Sequence, residues 1–338
     1  MALIPRDVDE TGCPAERYAG ALETLAERML QERCVFFLGA GASVDFTRPS
    51  LPTGNELSQL LAKKYGLEWH EHIPLPMVAY YYEFLHDRES LNSFLQDQIG
   101  NADIEPSTTV RLLSEVLKAL EGAGKKTLTI TTNYDLQFEQ AYRKTVGRDP
   151  GIVTYKGGWD HRDRGRQLYD GLGSEKPSEW IPSDRRKSWL FKLHGCISQP
   201  EGHNLVITDE DYVNFLANAL SNDPSKRLPT YINGMIARST ILFVGYGLAD
   251  YNFRVIFKTT VEEAEGRAAV SYAVQYRKTD PRYPETPFER VRWDALDEFW
   301  AKKNVRIITA EASLFMKDLL GTVSRIAAQR KAQAAGGG

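Results

Sequence analysis

Cysteine is scarce in this chain: Cys13, Cys34 and Cys196 are its full complement in 338 residues. They are scattered and form no CxxC pair, which excludes a disulfide framework and a four-thiolate zinc site. No apolar run is long enough to span a bilayer. The opening "MALIPRDVDETGCPAERY" lacks the basic-then-apolar layout of a secretory signal. No excess of positive charge is present either. The net charge is -3, which argues against binding nucleic acid or anionic lipid over the whole surface. No internal repeat is visible. These absences point to a globular protein of a reducing cytoplasm. A hydrophobic content of 42% against 26% charged residues is enough to build a sizeable core.

The hydrophobic pattern alternates between two periods. Leu22, Leu25, Ala26, Met29 and Leu30 recur at helical spacing and predict a helix over about 18–33. It feeds into "CVFFL" (34–38), apolar at consecutive positions as in a parallel strand buried on both faces. A helix follows from about Asn55 to Gly66. Residues 75–121 read as mainly helical. Further strands are expected at 127–131, 152–155, within "SWLFKLHG" (188–195), briefly in "NLVI", at 240–247, 269–276 and 304–310. Helices are expected at Leu136–Arg143, from Thr208 or Asp209 onward, at 228–237, from Asp250 to about 264, and at 313–328. Strands separated by helices imply a Rossmann-like open parallel sheet covered on both faces, an α/β fold.

This pattern suggests a single domain over 18–330 after an N-terminal segment, 1–17. Its core would comprise about 18–65, 126–146 and 188–330, with a helical insertion at 66–125. Residues 147–187, rich in Gly, Pro and mixed charge, read as a long surface loop. The low-complexity tail 331–338 is expected to be flexible.

Four polar motifs fall at strand ends: "GAGAS" (39–43), "TTNYD" (131–135), "KLHG" (192–195) and "VGYGLAD" (244–250). Ligands of open parallel sheets sit outside those carboxyl ends. Gly39 and Gly41 would let a pyrophosphate approach the main chain, whose N–H groups can donate to it. The pattern is not GxGxxG, and no acidic residue ends a second strand about twenty positions on, so a dehydrogenase fingerprint is lacking.

Taken together, Gly39-Ala40-Gly41-Ala42-Ser43 with Leu51-Pro52-Thr53, Thr132-Asn133-Tyr134-Asp135, His194-Gly195 and Gly245-Tyr246-Gly247 resemble the sirtuin superfamily. The likeness is greatest to the bacterial sirtuin-like domains of anti-phage defence proteins, and it spans roughly 33–260. The resemblance implies an NAD site. Asn133 would orient water or the ribose hydroxyls, and His194 would be a general base with a pKa suited to neutral pH. Asp135 would hold the carboxamide or support the loop that does. Ser43 and the main-chain amides of Gly39, Ala40, Gly41 and Ala42 would take the phosphates, beside Thr132. Gly245 and Gly247 would leave room for the adenosine ribose. Deacylase sirtuins carry a zinc-binding cysteine quartet, which this chain lacks, so no metal is expected.

The function this implies is NAD+ hydrolysis to nicotinamide and ADP-ribose, for NAD depletion in defence. ADP-ribosyl transfer, cyclisation and deacylation keep the same cleavage with another acceptor. A non-catalytic NAD or ADP-ribose sensor acting by assembly is the reading from another class. The family further implies a homo-oligomer, or a defence partner such as a motor ATPase or an Argonaute-like sensor. Simpler roles compete at single positions: Asp135 and Asp250 as helix caps, His194 as a core histidine, Cys196 as a packing residue. "WHEH" (69–72) has the wrong spacing for a helical metal pair. "HRDRGR" (161–166) and "DRRK" (184–187), broken by acids, read as solvated loop.

Overall fold

A computed structural model describes residues 18–45, 48–66, 73–100, 104–156, 169–170, 181–182, 188–198, 204–221, 223, 226–248, 254, 257–258, 269–276 and 286–336. Cys13, "WHEH", both charged loop motifs, Asp250 and most of the helix expected after it lie outside these residues.

Among the described residues the sheet has eight strands: β1 (Cys34–Leu38), β2 (Leu128–Thr131), β3 (Gly151–Tyr155), β4 (Tyr169–Asp170), β5 (Trp189–Lys192), β6 (Thr240–Val244), β7 (Ser271–Gln275) and β8 (Val305–Thr309). Their order is β4-β3-β5-β2-β1-β6-β7-β8. Every pairing is parallel except that of β3 with the short edge strand β4. The chain grows from β1 toward β2 and β5, then returns to β6 on β1's other side. That reversal opens a crevice at the carboxyl ends of β1 and β6, where doubly wound sheets bind ligands.

Alternation along β1 shows why both faces are covered. Val35 and Phe37 enter one apolar layer, Phe36 and Leu38 the other. The first layer is closed by α7 (Asp209–Ala219), α8 (Thr230–Arg238) and α9 (Pro287–Ala301), through Phe215, Ile232, Ile236, Leu296 and Trp300. The second is closed by α1 (Ala19–Leu30), α5 (Thr108–Gly122), α6 (Gln137–Val146) and α10 (Ala312–Gly336). A third, smaller cluster joins α2 (Gly54–Lys64), α3 (Leu75–Leu85) and α4 (Arg88–Leu95) to Ile197, Leu205 and Ile207.

Several elements depart from expectation. The helical stretch 66–125 divides: α3 and α4 form the separate cluster, whereas α5 packs on the sheet itself, with Val116, Leu117 and Leu120 fully buried. The segment Asn204–Ile207 is buried but joins no strand ladder. Its amides go elsewhere: Val206 N–H to His194 O, and Ile207 N–H to Asp211 Oδ2. α9 is a helix that the hydrophobic pattern did not single out, though Trp293, Leu296 and Trp300 have its spacing. The last helix, expected to end near 328, runs to Gly336. Its alanines, lysine and glutamine favour helix over a flexible tail. Among the described residues no helix is long and apolar enough to cross a membrane.

Candidate active site

The carboxyl end of the sheet carries a cavity of about 870 Å³. Gly39, Ala40, Gly41, Ser43, Thr132, Asn133, Asp135, His194, Gly245 and Gly247 all line it, while Ala42, whose amide was also expected at the phosphates, does not. Leu51, Pro52, Tyr134 and Tyr246 of the same motifs line it too, and the rest of the wall comes from residues outside them. Leu51, Pro52 and Leu57, Pro74 to Pro76, and Ile99 form an apolar side. Tyr134, Ile207, Asp209 and Tyr212 add a mixed one.

The first turn is held by glycine for a reason other than ligand approach. Gly39 N–H donates to Val244 O and Gly41 N–H to Gly245 O (2.8 Å), so the β1 and β6 loops are laced together. A Cβ on Gly39 would lie 2.6 Å from the Tyr246 ring, and one on Gly41 2.9 Å from Gly245 O. Gly245 has φ +66°, and its Cβ would fall 1.9 Å from Ala42 N. Residues Ala40–Ser43 form a 3₁₀ turn, in which Ala42 N–H returns to Gly39 O. The expectation that the Gly39–Ala42 amides face a phosphate is therefore corrected. Those of Gly39, Gly41 and Ala42 are spent on protein carbonyls. Gly247 has nothing within 4 Å of its would-be Cβ.

Asn133 follows β2 in a loop tied at both ends. Its N–H donates to Thr131 Oγ1 (3.0 Å). Its side-chain Nδ2 donates to Gly39 O (3.0 Å) and Ser43 Oγ (3.2 Å). Ser43 Oγ in turn donates to Asp135 Oδ2 (2.9 Å), and Asp135 Oδ1 accepts from Gln137 N–H. Asp135 thus takes the first amide of α6, whose N-cap residue is Leu136, and anchors Ser43. This chain fixes the asparagine amide so that Nδ2 faces protein. Oδ1 is left buried without a partner.

His194 sits just past β5, where Leu193 N–H donates to Thr131 O. Gly195 lets the chain turn, at φ +91° and with Asn204 O only 2.1 Å from where a Cβ would stand. The imidazole is 2% exposed and meets Tyr212 and Phe215 edge-on at 5.2 and 5.3 Å. Its Nε2 has no partner. Burial pushes its pKa down to about 3, against a smaller upward pull from Asp211. An imidazole poised near neutral pH is therefore not what this environment gives. The ring is neutral throughout the working range.

The unfolded chain takes up this proton near pH 6.5, the folded one only near 3. Above 6.5 both states are neutral and the group contributes nothing. Below it the unfolded state binds more protons, so stability falls by up to about 1.4 kcal/mol per pH unit. Urea midpoints between pH 7.5 and 4.5 should fall more steeply for the wild type than for His194→Leu. Equal slopes would refute the neutral, buried assignment.

The apolar wall is pinned by charge. Arg88 on α4 pairs with Asp211 (2.8 Å) and Glu83 (2.9 Å), and donates to Leu205 O. Asp211 also completes the capping box of α7 with Thr208. α2 starts on a second capping box, Thr53 with Glu56. Asp209, in the first turn of α7, has its pKa raised by partial burial. Cys34 is buried with its thiol pushed up to about 12, so it is inert. Cys196 is buried, its Sγ 3.1 Å from Ser198 Oγ. Among the described residues no group of three or more His, Cys, Asp or Glu could hold a metal ion.

A 71-residue stretch is 35% identical to Defense-associated sirtuin 2 of Bacillus subtilis; it is 20% of this chain and 6% of that much longer protein. Two solved structures align over 90% of the chain. One is a Sir2 enzyme from work on the mechanism and regulation of that class, at 14% identity, TM-score 0.40, over 97% of its own chain. The other is a Sir2 homologue in complex with NAD, at 15% identity, TM-score 0.44, over 94% of its own chain. Residues 127–308, more than half of the sequence and the part that carries Asn133, His194 and Gly245, match the SIR2-like domain, and the chain belongs to that family.

Proposed function

We propose that this chain is an NAD+ glycohydrolase. It breaks the bond between nicotinamide and ribose and passes the sugar to water. The observation that carries the reading is a pair of buried, unpaired polar atoms, Asn133 Oδ1 and His194 Nε2, on residues lining one cavity. Orphaned buried polar atoms cost stability, so a site that keeps two of them is built for a ligand that supplies their hydrogen-bond partners.

The chemistry fits a neutral site. As the glycosidic bond lengthens, its electron pair goes to the ring nitrogen, and nicotinamide leaves uncharged. Positive charge develops on the ribose carbon, as in other glycosidic cleavages. No acid is needed at the leaving group. Asn133 Oδ1, held by the Ser43–Asp135 chain, accepts from a ribose hydroxyl or from the incoming water. Water adds to the cationic carbon as its proton passes to His194 Nε2 and then to solvent. The products are nicotinamide, ADP-ribose and one proton. Charge gathering near the imidazole from the diphosphate raises its basicity over that of the empty site. Ser43, Thr132 and the space beside Gly247 accommodate the rest of the dinucleotide. The mainly apolar side from Leu51 to Ile99 keeps bulk water from the reacting carbon.

In this reading the protein is cytoplasmic and depletes NAD during anti-phage defence, with its activity restrained until it assembles or meets a partner protein. The test is incubation of purified protein with NAD, alone and under crowding that drives assembly, with products resolved by mass spectrometry. Nicotinamide and ADP-ribose in equal amounts support hydrolysis. A cyclic product or an ADP-ribosylated protein would reassign the acceptor. Intact NAD under every condition, with tight binding, would replace the enzyme by a sensor.

A further inference from the structure

We propose that the buried Lys192–Glu139 ion pair is a positioning element that sets the asparagine loop against the histidine loop. Lys192 ends β5, two residues before His194, and lies beside Thr131 of β2 in the parallel register. Its side chain is 1% exposed. Nζ donates to the main-chain oxygen of Asp135 and to Glu139 Oε1 on α6 (2.9 Å). One ammonium thus ties the strand that delivers His194 to the loop that delivers Asn133 and to the helix that follows it. Tyr134 O accepts from Ile197 N–H across the same gap, a second stitch between the two loops.

Stability alone is a poor reason for this arrangement. Drawing two charges out of water is costly, and apolar residues of similar volume often serve as well or better. Glu139 Oε2 is buried with no partner, so even this pair is incompletely satisfied. What the ammonium supplies, and a hydrocarbon could not, is a donor for the Asp135 carbonyl. Asp135 anchors Ser43, and Ser43 accepts from the Asn133 amide. The path from Lys192 to Asn133 is therefore continuous through hydrogen bonds.

The kinetic half of this proposal rests on the NAD-cleaving reading; hydrogen exchange does not. In Lys192→Met/Glu139→Leu the charges leave together. The double variant should melt at or above the wild-type temperature. Amides of residues 132–137 should exchange at least about tenfold faster, with the central strands unchanged. The turnover number should fall at least about tenfold while KM for NAD stays within about threefold. A folded double variant with wild-type exchange and turnover would overturn the proposal. If the double variant does not fold, Glu139→Gln decides: with the ammonium's countercharge gone, exchange at 132–137 should rise at least about threefold while the central strands stay unchanged. Wild-type exchange there in a folded Glu139→Gln protein would remove the ion pair from the role. A wild-type protein that leaves NAD intact would defeat the functional reading, while the exchange comparison would still judge the ion pair.

Discussion

Asn133→Ala and His194→Ala are each expected to lower nicotinamide release by about a hundredfold to ten-thousandfold, the range a positioned proton acceptor contributes. The two substitutions should separate in stability. Asn133→Ala removes the donor to Gly39 O and Ser43 Oγ, a loss of about 1–2 kcal/mol. His194→Ala opens a gap against Tyr212 and Phe215 but also removes a buried polar atom that has no partner. His194→Phe fills the gap and removes the orphan together. It should therefore melt at or above the wild-type temperature while turnover stays abolished. That combination marks a residue kept for chemistry rather than for packing. A His194→Phe protein that is markedly less stable than wild type and still cleaves NAD would show that the imidazole is a core residue after all. Nicotinamide release by chromatography and thermal melts on the same preparations make the comparison.

Those residues were legible because each stands where an apolar strand stops and a polar or glycine residue begins. "CVFFL" ends in "GAGAS", "TLTIT" in "TNYD", "WLFK" in "LHG", and "TILFV" in "GYG". Period and abrupt change of polarity carry that information locally. The opposite wall of the cavity had no such signal. Leu57, Leu75 and Ile99 satisfy an ordinary helical spacing, which says that a side chain is buried without saying against what. Asp209 and Tyr212 were read as the start of a helix, and only the placement of α7 over the carboxyl end of β5 turns them toward the site. Thr131 and Lys192 looked like strand residues. Their function depends on register, since Thr131 lies directly across from Lys192. The segment "NLVI" shows the converse error. Its composition suits a strand, but Asp211 and His194 O take its amides and remove it from the ladder. The neutral pKa expected of His194 failed for a similar reason: Phe215 and Tyr212 are far from it in sequence, and they exclude the water that would hold its proton.

The two loops that meet at Gly245 supply the largest structural effect. Gly245→Ala faces two penalties at once. Its φ of +66° strains any residue with a Cβ, and the new carbon would sit 1.9 Å from Ala42 N and 2.5 Å from Gly41 C. Both neighbours are backbone in a turn fixed by Gly39 and Gly41 hydrogen bonds, so neither can yield without unlacing the β1 and β6 ends. The expected cost is at least about 3 kcal/mol. Affinity for NAD should fall with it, since the Ala40–Ser43 turn and the Asn133 contact to Gly39 O move together. Gly247→Ala, two residues on, is the matched control. Its added carbon meets nothing within 4 Å and its φ is not positive, so stability should stay within about 0.5 kcal/mol. Gly247 also lines the cavity, so calorimetric titration with NAD should still show weaker binding. Urea denaturation and titration of both variants separate a glycine that joins two loops from one that faces a ligand. If Gly245→Ala were as stable as Gly247→Ala, the interlocked turn would not be the foundation of this site.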